Sequence, residues 1–150
     1  MVDKELKDLF LTEFPVRDWA EEEGVADTEI TERLLEQTEA LYRSKEEALI
    51  AAAHDQSLSD PDNFMRRVEK SVLLRTIDNN WRDHIQQIDH LRSIVSFRAI
   101  GQRDPLNEFK TESFTLFDGL LTGLRRDVIA TLMAIQLQPR EQNQQASQTE

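Results

Sequence analysis

The sequence contains no cysteine. That excludes disulfides, thiolate zinc or iron–sulfur sites, and a cysteine nucleophile. Glycine and proline number four each in 150 residues, too few for the turns of a β-sandwich or barrel. No apolar run approaches the roughly 20 residues that span a bilayer. The opening Met1-Val2-Asp3-Lys4-Glu5-Leu6 has no apolar core of a secretory signal, so a cytoplasmic protein is expected. A Gly-rich phosphate loop of the G-x-x-x-x-G-K-[ST] type is missing, which removes the commonest nucleotide-binding signature. Histidine is scarce, and His84 and His90, six apart, point to different sides of a helix. Asp83, Asp89 and His90 offer a place for a stray cation at most, so no metal site is expected.

What is present is charge and helical periodicity. Apolar residues make up 39% of the chain and charged residues 31%, with a net charge of −11. Residues 1–62 carry 18 acidic and 6 basic side chains, whereas residues 63–136 carry 9 and 11. Such an uneven distribution implies two surfaces with different partners. The acidic part argues against nucleic acid, because phosphate contacts need concentrated Lys and Arg.

Almost every segment reads as helix. Leu6, Leu9 and Phe10 share one face of a short amphipathic stretch that Phe14-Pro15 interrupts. Val16 to Glu23 makes two further turns, with Gly24 as the C-terminal cap. Asp27-Thr28 supplies an N-cap for a helix to about Ala53, with Ile30, Leu34, Leu35, Thr38, Leu41, Tyr42 and Leu49 as its apolar face. After a polar joint at 54–62, Asp60 and Pro61 mark a restart. Leu74, Ile77, Trp81, His84, Ile88, Leu91 and Val95 then alternate by three and four, which reads as a heptad seam with one polar member, His84. A second seam runs from Leu106 and Phe109 to Ile135. The expected fold class is all-α: a long antiparallel helical hairpin packed against a smaller acidic helical unit. Such a rod cannot bury all its apolar surface alone. It needs the first 53 residues or a further element to cover it. The tail from 138 to 150 is polar and low in complexity, and is expected to be disordered.

Few constellations suggest chemistry. Gly119 and Gly123 form a G-x-x-x-G, read here as close helix packing. Trp81 and Trp19 read as core anchors. Asp78 and Arg82 read as an ordinary i,i+4 surface pair. The informative place is the turn between the long helices. From Leu91 to Arg103 there are three arginines, Arg92, Arg98 and Arg103, and no acid apart from Asp89 just before them. Ile94, Val95, Phe97 and Ile100 lie among the arginines. An acidic protein thus presents a basic and apolar tip. Two readings compete: a plain turn whose arginines cap helix carbonyls, and a contact tip that enters a partner.

Two motifs carry a family resemblance. In the first, Asp78, Trp81, His84, Asp89 and Leu91 fit a D-x-x-W-x-x-H-L-x-x-M-D-x-L pattern. In the second, Arg98, Gln102, Arg103, Asp104, Pro105, Glu108 and Phe109 fit L-R-x-Y-x-Q-[RK]-D-P-x-x-E-[YF]. With this spacing the chain resembles the SecA family of bacterial preprotein translocase motors over residues 1 to about 138. Among the positions that depart from the pattern, Ile88 stands where the family has Met, and Ile100 where it has a fingertip Tyr.

The resemblance implies that residues 1–60 are part of a helical wing domain and residues 61–137 the two-helix finger of a helical scaffold domain. It implies that Arg98, Ala99, Ile100, Gly101, Gln102 and Arg103 contact the preprotein and the SecY channel. Trp81, His84, Ile88 and Phe109 would form the hairpin core that stiffens the lever. The implied partners are the SecYEG channel, an unfolded preprotein and the remaining domains of the motor, with an anionic membrane surface and a second copy as further candidates. The implied location is cytoplasmic, peripheral to the inner membrane. ATP and Mg²⁺ would serve nucleotide-binding domains outside this segment, as would zinc a Cys-rich tail, so no cofactor and no enzyme activity is expected of the segment itself. The competing reading from another class is a stand-alone hairpin adaptor that oligomerises through its seam.

Overall fold

The computed structural model describes residues 2–22, 24–98 and 104–136, with the backbone alone at Arg98. The described residues form five α-helices and no strand. These are α1 (Val2–Phe10), α2 (Val16–Glu21), α3 (Asp27–Asp55), α4 (Phe64–Arg98) and α5 (Pro105–Ala134). Residues 99–103 and those beyond 136 lie outside the described residues.

Local chemistry sets the breaks. Leu11, with φ 57°, ends α1 in the left-handed region, its amide donating to the Lys7 carbonyl at 2.9 Å. Gly24 turns the chain after α2 with φ +86°, a conformation that costs glycine little. Asp27 is the first residue of α3 and not its cap: Ala26 holds the N-cap place without a side-chain hydrogen bond. At the joint, Asp60 adopts φ 54° and its carboxylate accepts from the Asn63 side chain at 3.0 Å, so it braces a 3-10 turn (Pro61–Asn63) instead of capping backbone amides. Arg67 donates back to the Ser59 and Asp60 carbonyls and closes this strained turn. Asp104 does cap α5 as expected, accepting from Leu106 N at 3.1 Å and Asn107 N at 3.4 Å, with Pro105 at the first helical position.

Helices α4 and α5 run antiparallel. Asn80 donates to Asp127, and His84 meets the Phe117 ring, so the register runs backward as α4 advances. The core sits at the base of this hairpin, where Leu49 of α3, Met65 and Val72 of α4 and Leu132 of α5 converge. Tyr42, Ile50, Phe64, Val68, Val128 and Ile135 pack around them.

The contact line along α4 departs from the heptad. Buried or half-buried side chains step by four: Val72, Thr76, Asn80, His84 and Ile88, before Leu91 and Val95 close the upper end. A row with i+4 steps rotates slowly around a helix, as when two helices cross on their i±4 ridges. The heptad reading therefore holds from His84 upward and fails below it. Leu74, Ile77 and Trp81 are 52%, 38% and 51% exposed, and Trp81 lies outside the hairpin core. The small and polar residues Thr76 and Asn80 take the places expected of them.

Candidate functional site: the lever, its base and its tip

At the base, α3 is fastened to the hairpin by two polar contacts over the apolar core, one of them braced by a pair within α4. The Tyr42 hydroxyl donates to Glu69 Oε1 at 2.6 Å, and Arg66 Nη1 donates to Glu69 Oε2 at 2.8 Å. Burial, with the Glu69 carboxylate beside it, pushes the Tyr42 hydroxyl well above the usual phenol range. The second contact runs from Lys45 Nζ to the Met133 carbonyl at 2.7 Å, in the last turn of α5. A cation there meets the negative end of the helix dipole. Partial burial of the Lys45 amine pulls its pKa down.

Along the shaft the two sides of the hairpin differ. One side carries the row Arg67, Ser71, Arg75, Asn79, Asp83, which with Asp127, Thr131 and the apolar Val68, Val72 and Ile135 lines an open groove of mixed character, about 780 Å³ in volume. The other carries Leu73, Ile77, Trp81 and Ile85, also four apart and all more than a third exposed. On α5, Phe114 is 72% exposed and Phe117 is 42% exposed. Between the sides sits His84, 7% exposed, with its ring 5.7 Å from Trp81 and 6.0 Å from Phe117. Its Nδ1 is buried without a hydrogen-bond partner.

The structure places the expected core residues unevenly. His84 is buried, Ile88 and Phe109 are half-buried, and Trp81 is exposed. His90 faces solvent. The glycine pair is not a close-packing motif. A methyl group at Gly119 meets nothing within 4 Å, and one at Gly123 meets only the Asn80 side chain at 3.6 Å. Asp78 and Arg82 form no ion pair within the described residues.

Of the six expected tip residues, Ala99, Ile100, Gly101, Gln102 and Arg103 lie outside the described residues, as does the Arg98 side chain. The tip's shoulders are described. Val95 is buried at the end of α4, while Phe97, one residue before Arg98, is 76% exposed. Leu106, two residues after Asp104, is 62% exposed. Sequence periodicity assigned Leu106 to the seam and so missed it as part of an apolar collar. Its position in the first turn of α5, beside the Asp104 cap, was the signal that it stands at the rim.

Among the described residues, no group of His, Asp and Glu is placed to hold a metal ion. No described helix is long and apolar enough to cross a membrane. The arrangement suits mechanical contact: a rod of helices 35 and 30 residues long, roughly 52 and 45 Å at about 1.5 Å per residue, clamped at one end. The family model for the SecA wing and scaffold domain matches residues 1–136. The chain belongs to the SecA family. The matched unit is the wing and scaffold, which has no nucleotide-binding domain. Among curated SecA relatives, the protein translocase subunit SecA of Hyphomonas neptunium is 45% identical over 148 residues, 97% of this chain and 15% of that protein. The protein translocase subunit SecA of Bartonella tribocorum is 43% identical over 142 residues, 93% of this chain and 14% of that protein. The chain thus spans about a seventh of the length of the SecA relatives it matches.

Proposed function

We propose that this SecA-family segment acts in protein translocation as a clamped helical lever. Residues 1–60 form the wing part, and residues 61–137 form a two-helix finger. The turn from Arg98 to Arg103 is the working tip, which touches the SecY channel and the unfolded preprotein. Nucleotide-driven motion arises in other domains of a longer motor and reaches the tip through α4 and α5. The segment itself neither binds nor hydrolyses ATP. It works at the cytoplasmic side of the inner membrane, where its arginines also meet anionic lipid.

The observation that carries this reading is the contrast between the two ends of the hairpin. The base is fixed by an apolar core and by Tyr42, Lys45 and Glu69. The far end presents Phe97 and Leu106 to solvent on either side of the Arg98–Arg103 turn. Exposed apolar side chains with arginines suit an extended polypeptide, which offers apolar side chains and backbone carbonyls. Because Ile100 stands where the family pattern has Tyr, the contact at that position is apolar and steric and uses no ring stacking.

The test is a photo-reactive residue at Ile100 in a full-length SecA carrying this segment, with a preprotein stalled in the channel. Crosslinks to preprotein or SecY are expected. Silence at Ile100, with crosslinks from a control position on the acidic α3 face, would make the hairpin a structural brace.

A further inference from the structure

The joint between α3 and α4 is bonded from both helices. Its first half closes α3 in a Schellman turn: Ser57 N donates to the His54 carbonyl at 2.9 Å, and Leu58 N to the Ala53 carbonyl at 3.0 Å. That turn puts Ser57 at φ 53°, a place glycine usually takes. Ala53 beneath it is fully buried. Asp60, at φ 54°, is the second left-handed residue of the joint that carries a side chain. Such angles persist where surrounding bonds fix them. Here Arg67 Nη2, in the first turn of α4, donates to both the Ser59 and the Asp60 carbonyl. Arg67 forms no ion pair among the described residues, so its charge is used on these two oxygens. From the other side, His54 Nε2 of α3 lies 2.8 Å from Asp62 Oδ1.

One attachment lets two helices pivot, whereas two set well apart hold their angle. The second attachment is the pair of contacts from Tyr42 to Glu69 and from Lys45 to the Met133 carbonyl. Tyr42 and His54 are separated by about 18 Å along α3, at roughly 1.5 Å per residue. Leu49, between them in sequence, packs in the core with Met65. The joint, the core and the Tyr42 contact thus brace α3 against the hairpin along three turns of helix.

We infer that Arg67, with His54 and Asp62, is a positioning element that holds α3 at a fixed angle to the hairpin, so that motion of the wing part reaches the tip without loss at the joint. The inference rests on the lever reading and adds the residues that set the lever's angle.

The experiment has two readouts. Paired spin labels on introduced cysteines, Glu36→Cys on α3 and Ser93→Cys on α4, report the angle by pulsed electron resonance. Both positions are exposed, and the chain has no cysteine of its own. The parent is expected to give one narrow distance. Arg67→Met combined with His54→Gln is expected to broaden it with helicity unchanged by circular dichroism, and Arg67→Lys, which keeps a cation in reach of the carbonyls, to leave it narrow. In a full-length SecA carrying this segment, the double variant is expected to keep its ATP turnover and to transport several-fold less preprotein per ATP, with Arg67→Lys restoring the ratio. A merely destabilised fold would lower both together. A parent already broad, or a double variant still narrow, overturns the inference, because Arg67 and His54 then do not set the angle. A broad distance with unchanged transport per ATP overturns it too, since the lever then works with a loose joint. Failure of the lever reading itself shows elsewhere, as silence of the photo-reactive residue at Ile100.

Discussion

Tyr42 ties the acidic helix to the hairpin, and its chemistry gives a pH signature. Its hydroxyl is held neutral in the folded chain by burial and by the Glu69 carboxylate, while an unfolded tyrosine loses its proton near the ordinary value of 10.0. The raised folded value means that this contribution is complete below pH 10 and is lost as pH rises beyond it. Tyr42→Phe should therefore cost about 1–2 kcal/mol at neutral pH and remove the part of the stability loss above pH 10 that belongs to this hydroxyl. Urea midpoints for parent and variant at neutral and alkaline pH give both quantities. His84 makes the opposite case. Its Nδ1 is buried without a partner, so His84→Leu should leave stability within about 1 kcal/mol of the parent or raise it. A loss of several kcal/mol would mean that the imidazole fixes the hairpin register. Trp81, half exposed, and Leu91, 6% exposed, separate surface from core. Leu91→Ala should cost about 2–5 kcal/mol and Trp81→Ala about 1 kcal/mol, read by thermal unfolding at concentrations where the chain is monomeric.

At the scale of the elements, sequence legibility depended on how local the determinant was. The limits of α4 and α5 followed from caps and proline. Asp104-Pro105 starts α5 because a carboxylate meets two free amides and proline needs none. Asp104→Ala should cost about 1 kcal/mol, measurable as a drop in helix content or Tm. Asp60-Pro61 looked the same in sequence. There, Asn63 captures the carboxylate and Arg67 pulls the carbonyls, so a 3-10 turn precedes the helix. The face of α4 was harder to read. Periods of three-and-four and of four coincide over one or two turns and separate over five, so His84, Leu91 and Val95 were legible as the seam while Trp81 was not. The preference depends on the crossing of two helices, which residues on one helix do not record. The glycine pair misled for a related reason. With open space beside Gly119, Gly119→Ala should stabilise α5 by about 0.5–1 kcal/mol, contrary to a close-packing role.

For the whole molecule, the charge division along the chain corresponds to a physical division. The acidic residues concentrate on α1 to α3, which are fastened to the base, whereas the hairpin carries its arginines along its whole length, from Arg66 and Arg67 at the base to Arg92 near the far end. The family was legible because its two motifs, Asp78 to Leu91 and Arg98 to Phe109, keep the family's spacing without gaps. The exposed collar of Phe97 and Leu106 was less legible, since apolar residues at helix ends look like core until the partner helix is in place. The most direct test of the lever is a chimaera. This segment replaces the equivalent wing and scaffold segment of a full-length SecA, and transport of a preprotein into inner-membrane vesicles is followed. The account expects the chimaera to transport. It also expects a version with Arg98 to Arg103 replaced by glycine and serine to lose transport while keeping its fold and ATP turnover. Transport that survives loss of those six residues would contradict the tip's role and leave the hairpin as a brace.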